Sequence, residues 1–281
     1  MRKDVIEKTG SLPYLDIKNV LASEPEKLDF VLPGLLAGTV GAIVSPGGVG
    51  KSAYVLAKMK EISQQGRAVY LSLEDNLEML KHRMHALHYS STDEEKALIE
   101  DPSRFFIAPL EDRAVKIEND DWFSMIKEIA TNSRAIFIDT LRKFHNSNEN
   151  DSSEMTLITD RLSQIAVASN CCPIYIHHTS KSGQGGSQQA SRGSSVLVDN
   201  IKWQQYLEAM TEAEAKVFGI KNMKHYFKVG TSKINAGIQP DPTWYKRVSD
   251  PRPNFDGYYA QEVSFNKEVE ANNNKDGEYR I

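Results

Sequence analysis

The chain has 281 residues, of which 40% are hydrophobic and 26% charged, with a formal net charge of −4. That composition can bury a full core in one large domain or two and excludes a disordered or fibrous chain. The acidic balance argues against a broad electrostatic footprint on nucleic acid, but not against a narrow one, because basic loops facing a channel leave the whole-chain sign unchanged. No apolar run approaches the roughly 18 residues of a membrane span, and the charged N-terminus has no apolar signal core, so a cytoplasmic protein without membrane contact is expected. The two cysteines, Cys171 and Cys172, are adjacent and precede the apolar run Pro173 to Ile176. They read as small buried hydrophobes.

Residues 1–27 are polar and mixed, with one short amphipathic stretch at Ile17, Val20 and Leu21 before Pro25. So short a helix needs a packing partner. The segment is therefore expected as an arm that packs on its own domain or contacts a neighbouring subunit, with the main domain over 28–265. Thr39 to Val44 is a β-type run, followed by Ser45-Pro46-Gly47-Gly48-Val49-Gly50-Lys51-Ser52 and a helical run to Gln65. Strand, glycine-rich turn, Gly-Lys-Ser and helix form the context of a phosphate-binding P-loop. Its glycines permit positive φ and close approach of backbone N–H groups to an anion. Pro46, Gly47, Gly48, Val49 and Gly50 would cradle the phosphates of ATP, with Lys51 on the β/γ phosphates and Ser52 placed to ligate Mg²⁺. The motif's first glycine is Ser45 here.

Ala68 to Leu73 reads as a buried strand ending in Glu74-Asp75, and Leu77, Leu80, Met84 and Leu87 give a helical face. Thr92 and Glu95 have capping-box spacing. Arg104 to Leu110 is a further strand candidate, Trp122, Ile126 and Ile129 mark a helix, and Ala135 to Ile138 a strand ending in Asp139-Thr140. A polar loop, Asn146 to Ser153, precedes the helical face Met155, Ile158, Leu162 and Ile165. Pro173 to Ile176 is a strand ending in His177-His178, and residues 179–195 form a Gly/Ser/Gln-rich loop. Beyond residue 200, β-type runs at Lys202–Tyr206, Tyr226–Ser232, Thr243–Val248 and Tyr258–Phe265 suggest antiparallel hairpins. The polar tail, 266–281, is expected to be disordered. The fold expected is α/β: a mostly parallel twisted sheet flanked by helices, with a C-terminal antiparallel extension.

Ligands of such sheets lie beyond the carboxyl ends of the strands. There, Asp139 after four apolar residues suits Mg²⁺. Glu74 can polarise the water that attacks the γ-phosphate, with Asp75 assigned as a helix N-cap. Of His177 and His178, strand alternation aims only one at the site, where an imidazole can sense the γ-phosphate. Arg142, Lys143, Phe144 and His145 combine cations with an aromatic, as contact with single-stranded DNA requires. The flexible loop holding Lys181 and Arg192 is a second candidate for DNA.

These elements together resemble the RecA-type ATPase core. Several blocks resemble more specifically the RepA-type hexameric replicative helicases of broad-host-range plasmids: Leu28-Asp-Phe-Val-Leu-Pro33, Ser45-Pro-Gly-Gly-Val-Gly-Lys-Ser52, His82-Arg-Met-His-Ala-Leu87, Asp139-Thr-Leu-Arg-Lys-Phe-His145 and Gln188-Gln-Ala-Ser-Arg-Gly-Ser-Ser-Val-Leu-Val-Asp-Asn200. That family uses Ser-Pro-Gly-Gly in its P-loop, so Ser45 fits it. The resemblance covers about residues 15 to 250. It implies a homohexameric ring with ATP sites between subunits, moving 5′ to 3′ on single-stranded DNA, with a primase or initiator as possible partners. Under it Lys51, Ser52, Glu74, Asp139 and His178 keep the roles above, and Arg83 matches an arginine near the DNA path. Arg247 stands where the family has a candidate arginine finger. Lys233 resembles the lysine of a Lys-x-Arg finger, with Asn235 in place of the arginine, so the finger is either Lys233 or Arg247. The alternatives are a RecA-type recombinase or mediator and a non-motor assembly protein whose oligomeric state is set by ATP.

Overall fold

The computed structural model describes residues 6–9, 12–178 and 196–265. In chain order, a hairpin of β1 (Ile6–Thr9) and β2 (Leu12–Leu15) leads to the short helix α1 (Ile17–Leu21) and a second two-stranded sheet, β3 (Phe30–Leu32) with β4 (Leu35–Leu36). The main alternation follows: β5 (Gly41–Ser45), α2 (Lys51–Ser63), β6 (Ala68–Ser72), α3 (Leu77–Tyr89), α4 (Asp93–Glu100), β7 (Phe105–Pro109), α5 (Asp120–Thr131), β8 (Ala135–Asp139), α6 (Leu141–Phe144), α7 (Ser152–Ser169) and β9 (Cys172–His178). After residue 195 come α8 (Val196–Asp199), β10 (Trp203–Ala209), α9 (Glu212–Val217), β11 (Tyr226–Ile234), β12 (Thr243–Ser249) and β13 (Tyr258–Val263).

One nine-stranded sheet, ordered β13-β12-β11-β10-β5-β9-β8-β6-β7, carries the domain, with β5 at its middle. Strands β10, β5, β9, β8, β6 and β7 are parallel, and β11, β12 and β13 are added one after another in antiparallel pairs beyond β10. The expected mixed α/β architecture is the one observed. The central strands β5, β6 and β8 are buried at every position, which is why their sequences are unbroken apolar runs and not alternating ones. Their side chains divide between two cores. Ile43, Tyr70 and Phe137 pack with α2, α3 and α4, while Val44, Leu71 and Ile138 pack with α5, α6 and α7. Gly41 is required by close approach: a Cβ there would lie 2.9 Å from the ring of Trp203, whose indole N–H donates to the Pro33 carbonyl at 3.0 Å.

Sequence signals for helix starts are met at Thr92, where the capping box with Glu95 closes reciprocally. At α3 the cap is Asn76, whose side chain accepts from Met79 N–H, and not Asp75. Asp75 is taken by Arg83 from within the helix: Nε lies 2.9 Å from Oδ2, and Nη2 donates to Oδ1 at 3.0 Å. Arg83 also reaches the Tyr258 hydroxyl at 3.4 Å and is only 8% exposed. It joins α3 to the end of β6 and to β13. Arg83, expected near the DNA path, is thus buried and engaged by Asp75 and Tyr258 of its own chain. Both cysteines are buried and free, and burial pushes the Cys172 thiol up to about 11 and the Cys171 thiol higher still. Neither is a thiolate at neutral pH.

Removing one partner of a buried ion pair strands the other. Arg83→Ala is expected to destabilise the fold by about 3 kcal/mol in urea titration, with Arg83→Lys recovering part of the loss.

Candidate nucleotide-binding site

Strand register assembles the site. In the parallel pairs Ser45 lies opposite His178 and Ser72 opposite Asp139, so β5, β9, β8 and β6 end at one edge. Leu73 N–H donates to the Asp139 carbonyl at 2.7 Å, which carries the β6 chain one step further and sets Glu74 above that edge.

Between β5 and α2 the P-loop turns through Gly48 at φ +79° and Gly50 at φ +121°, conformations closed to most side chains. A Cβ built on Gly47 or Gly48 meets nothing within 4 Å, so the cradle is open on that side. Helix α2 starts at Lys51 with no side-chain cap, leaving its first N–H groups and its dipole for an anion. The buried Ser45 hydroxyl donates to the Pro46 carbonyl at 2.7 Å. That gives the serine at the motif's first position a use a glycine would lack.

Lys51 Nζ donates to the Pro46 carbonyl at 3.2 Å and lies 3.2 Å from His178 Nδ1. An ammonium only donates, so Nδ1 accepts and the ring proton sits on Nε2, 3.3 Å from Glu74 Oε2. Lys51, His178 and Glu74 thus form one hydrogen-bonded chain. The His178 N–H holds the Glu74 carboxyl below the usual carboxylate range, with Lys51 and Lys143 acting in the same direction. Burial lowers the pKa of Lys51, opposed by Asp139 and Glu74. His177 turns to the other side of the sheet and is buried, as strand alternation requires.

Asp139 is 3% exposed. Tyr70 on the neighbouring strand donates to its Oδ2 at 2.5 Å, and the Ser52 hydroxyl lies 3.5 Å from the same oxygen. Oδ1 is buried and takes no hydrogen bond. Burial raises the Asp139 pKa, Glu74 and Asp75 raise it further, and Tyr70 and Lys51 oppose them. A buried carboxylate oxygen lacking a donor, beside a hydroxyl, is the donor set for a hard cation, and the residues fit Mg²⁺. Among the described residues no cluster of three or more His, Cys, Asp or Glu is arranged to hold a metal by itself. A cation here would take the rest of its ligands from phosphate and water. Tyr70 was not legible in the sequence as a site residue; only its place one strand over from Asp139 reveals it.

A family model described as an AAA domain matches residues 7–184, more than half the chain. The chain belongs to the AAA domain family. It is a P-loop ATPase of RecA-like fold. Its backbone is similar to a solved ATPase domain (TM-score 0.62, 14% identity, 86% of this chain and 95% of that one). It is also similar to a DnaB-like replicative helicase solved for its interactions with primase (0.58, 14%, 79% and 57%) and to the RadB recombinase (0.50, 16%, 75% and 87%). At these identities the likeness is one of fold.

The other expected residues fall at several places on this AAA domain. Arg142 and Lys143 are exposed on α6, directly after the Asp139 strand end. Phe144 and His145 are buried, so the aromatic beside those cations belongs to the core and is not a stacking platform. Lys233 pairs with Gln204 near the start of β10, at the end of the sheet away from the P-loop, and its Nζ donates to the carbonyls of Val198 at 2.7 Å and Asp199 at 3.0 Å. Arg247 lies at the P-loop end, with Nη1 donating to the Gly48 carbonyl of its own chain at 3.0 Å. Lys181 and Arg192 lie outside the described residues. Among the described residues no helix is long and apolar enough to cross a membrane.

A carboxyl whose folded pKa is raised contributes stability below its unfolded pKa and loses it as pH rises through the folded one. At neutral pH Asp139 is therefore a net cost to the fold. Asp139→Asn, which keeps an acceptor for Tyr70, is expected to abolish turnover yet leave the melting temperature of the nucleotide-free protein unchanged or raised by about 2–4 °C, read by calorimetry at neutral pH.

Proposed function

We propose that this ATPase is a ring-forming DNA helicase: a homohexamer that hydrolyses ATP with Mg²⁺ and moves 5′ to 3′ along single-stranded DNA in plasmid-type replication in the cytoplasm. The observation that carries the reading is the chain Lys51–His178–Glu74. It joins the phosphate-binding ammonium to the residue that orients water, through a histidine that is the last residue of β9. A triphosphate entering the cradle draws Lys51 onto its β/γ oxygens and away from Nδ1, which changes the hydrogen bonding of His178 and frees the histidine to answer the γ-phosphate. The segment that follows β9 directly holds Lys181 and Arg192, assigned here to DNA along with Arg142 and Lys143. Nucleotide state and DNA grip are then coupled through one side chain.

In hydrolysis the backbone N–H groups of residues 47–52 and the Lys51 ammonium take up phosphate charge, and Glu74, held as a carboxylate, accepts a hydrogen bond from the attacking water. Ser52 and Asp139 would hold Mg²⁺, which when bound would supply charge neutralisation at the phosphates. Lys233 sits too far along the sheet to serve its own loop; to act as the cation a subunit offers to its neighbour's site it would leave the carbonyls of Val198 and Asp199. The N-terminal arm supports a subunit contact as well: α1 buries none of its residues, and Leu21 is 79% exposed. A primase or initiator is proposed as the partner of the ring.

Native mass spectrometry with a non-hydrolysable ATP analogue and single-stranded DNA is expected to give six copies. The wild-type protein is expected to open a forked duplex carrying a 5′ tail, while Lys51→Ala does not. A monomer whose ATPase ignores DNA would sink the motor reading.

A further inference from the structure

We infer that Arg247 acts in cis, as a positioning residue that shapes the P-loop of its own subunit, and is not the finger offered to a neighbour. The inference rests on the nucleotide site described above. Its guanidinium forks between two carbonyls of the same chain: Nη1 donates to Gly48 O at 3.0 Å, and Nη2 donates to Lys224 O. Its stem lies against the loop as well. A Cβ on Gly50 would stand 3.3 Å from Arg247 Cδ and 3.6 Å from Cγ, with Phe227 at 3.2 Å on the same side. β12 is held in place by β11 and β13 on its two sides, so the strand that carries Arg247 is anchored in the sheet.

The consequence for the loop follows from the planar trans peptide. The carbonyl of Gly48 and the N–H of Val49 point in opposite directions. With the Gly48 carbonyl fixed onto Arg247, the Val49 N–H is held on the opposite side of that peptide, free of Arg247 and available to a phosphate. Without the guanidinium, a glycine-rich loop with open surroundings at Gly47 and Gly48 has little else to fix that peptide plane. The cation also adds positive charge beside an anion site. A lysine at this position could meet only one of the two carbonyls with comparable geometry.

A cis role and a trans role make opposite predictions. In full-length protein, Arg247→Ala is expected to weaken binding of a fluorescent ATP analogue about tenfold or more, the worth of one charge-assisted hydrogen bond. Arg247→Lys is expected to recover part of that loss, with unchanged thermal unfolding showing that both variants are folded; full recovery would overturn the forked bridge. An equimolar mixture of Arg247→Ala and Lys51→Ala protein is expected to stay inactive, because each subunit then carries a defect in its own site. Turnover restored in the mixture, or wild-type affinity in Arg247→Ala where Lys51→Ala has lost binding, would overturn the cis assignment. Wild-type affinity in Lys51→Ala would instead overturn the nucleotide site itself, and the inference with it.

Discussion

Lys51 is a buried ammonium whose partners within the chain are weak. The residue is 7% exposed, its ammonium donates to the Pro46 carbonyl and to His178, and it is flanked by the carboxylates of Asp139 and Glu74. An ion so far removed from water must be satisfied by the protein or by a ligand. The protein's own satisfaction is weak, two contacts of 3.2 Å to neutral acceptors. A triphosphate would be a far stronger partner, and in the proposed function the exchange from imidazole to phosphate is the event on which the rest of the site turns.

The remainder of the structure holds those competing groups in reach of each other. Central placement of β5 puts the P-loop between β9, which delivers His178, and β10, beyond which the antiparallel strands deliver Arg247. Pairing of β6 with β8 sets Tyr70 against Asp139 and Glu74 above it. Burial raises the Asp139 pKa and burial lowers that of Lys51, so the charged form of each opposes the stability of the fold. The two apolar cores on either face of the sheet offset that opposition.

Much of this was legible from the residues. The P-loop, the strand ends at Asp139 and His178, Glu74 just past the end of β6, and the antiparallel strands beyond β10 all lie in local pattern, where apolar runs and turn chemistry decide the outcome. What pattern does not carry is pairing across the sheet. Asp75 looks like a cap by position, but Arg83 takes its carboxylate and Asn76 caps instead. Phe144 looks available beside Arg142 and Lys143, yet the short α6 turns it into the core. Tyr70 reads as one more apolar strand residue until β8 is laid beside it. Arg247 resembles a finger in the linear sequence, and only the antiparallel register brings it back onto its own loop.

The exchange at Lys51 can be observed at the histidine. The ring ¹⁵N resonances of His178 can be assigned among the chain's seven histidines with a His178→Gln variant. In the nucleotide-free protein they should report a proton on Nε2 and an Nδ1 that accepts from Lys51. Adding a magnesium triphosphate analogue should shift Nδ1 as it loses the Lys51 ammonium, and Lys51→Ala should remove that response. A His178 signal that does not move when the triphosphate binds would contradict the account.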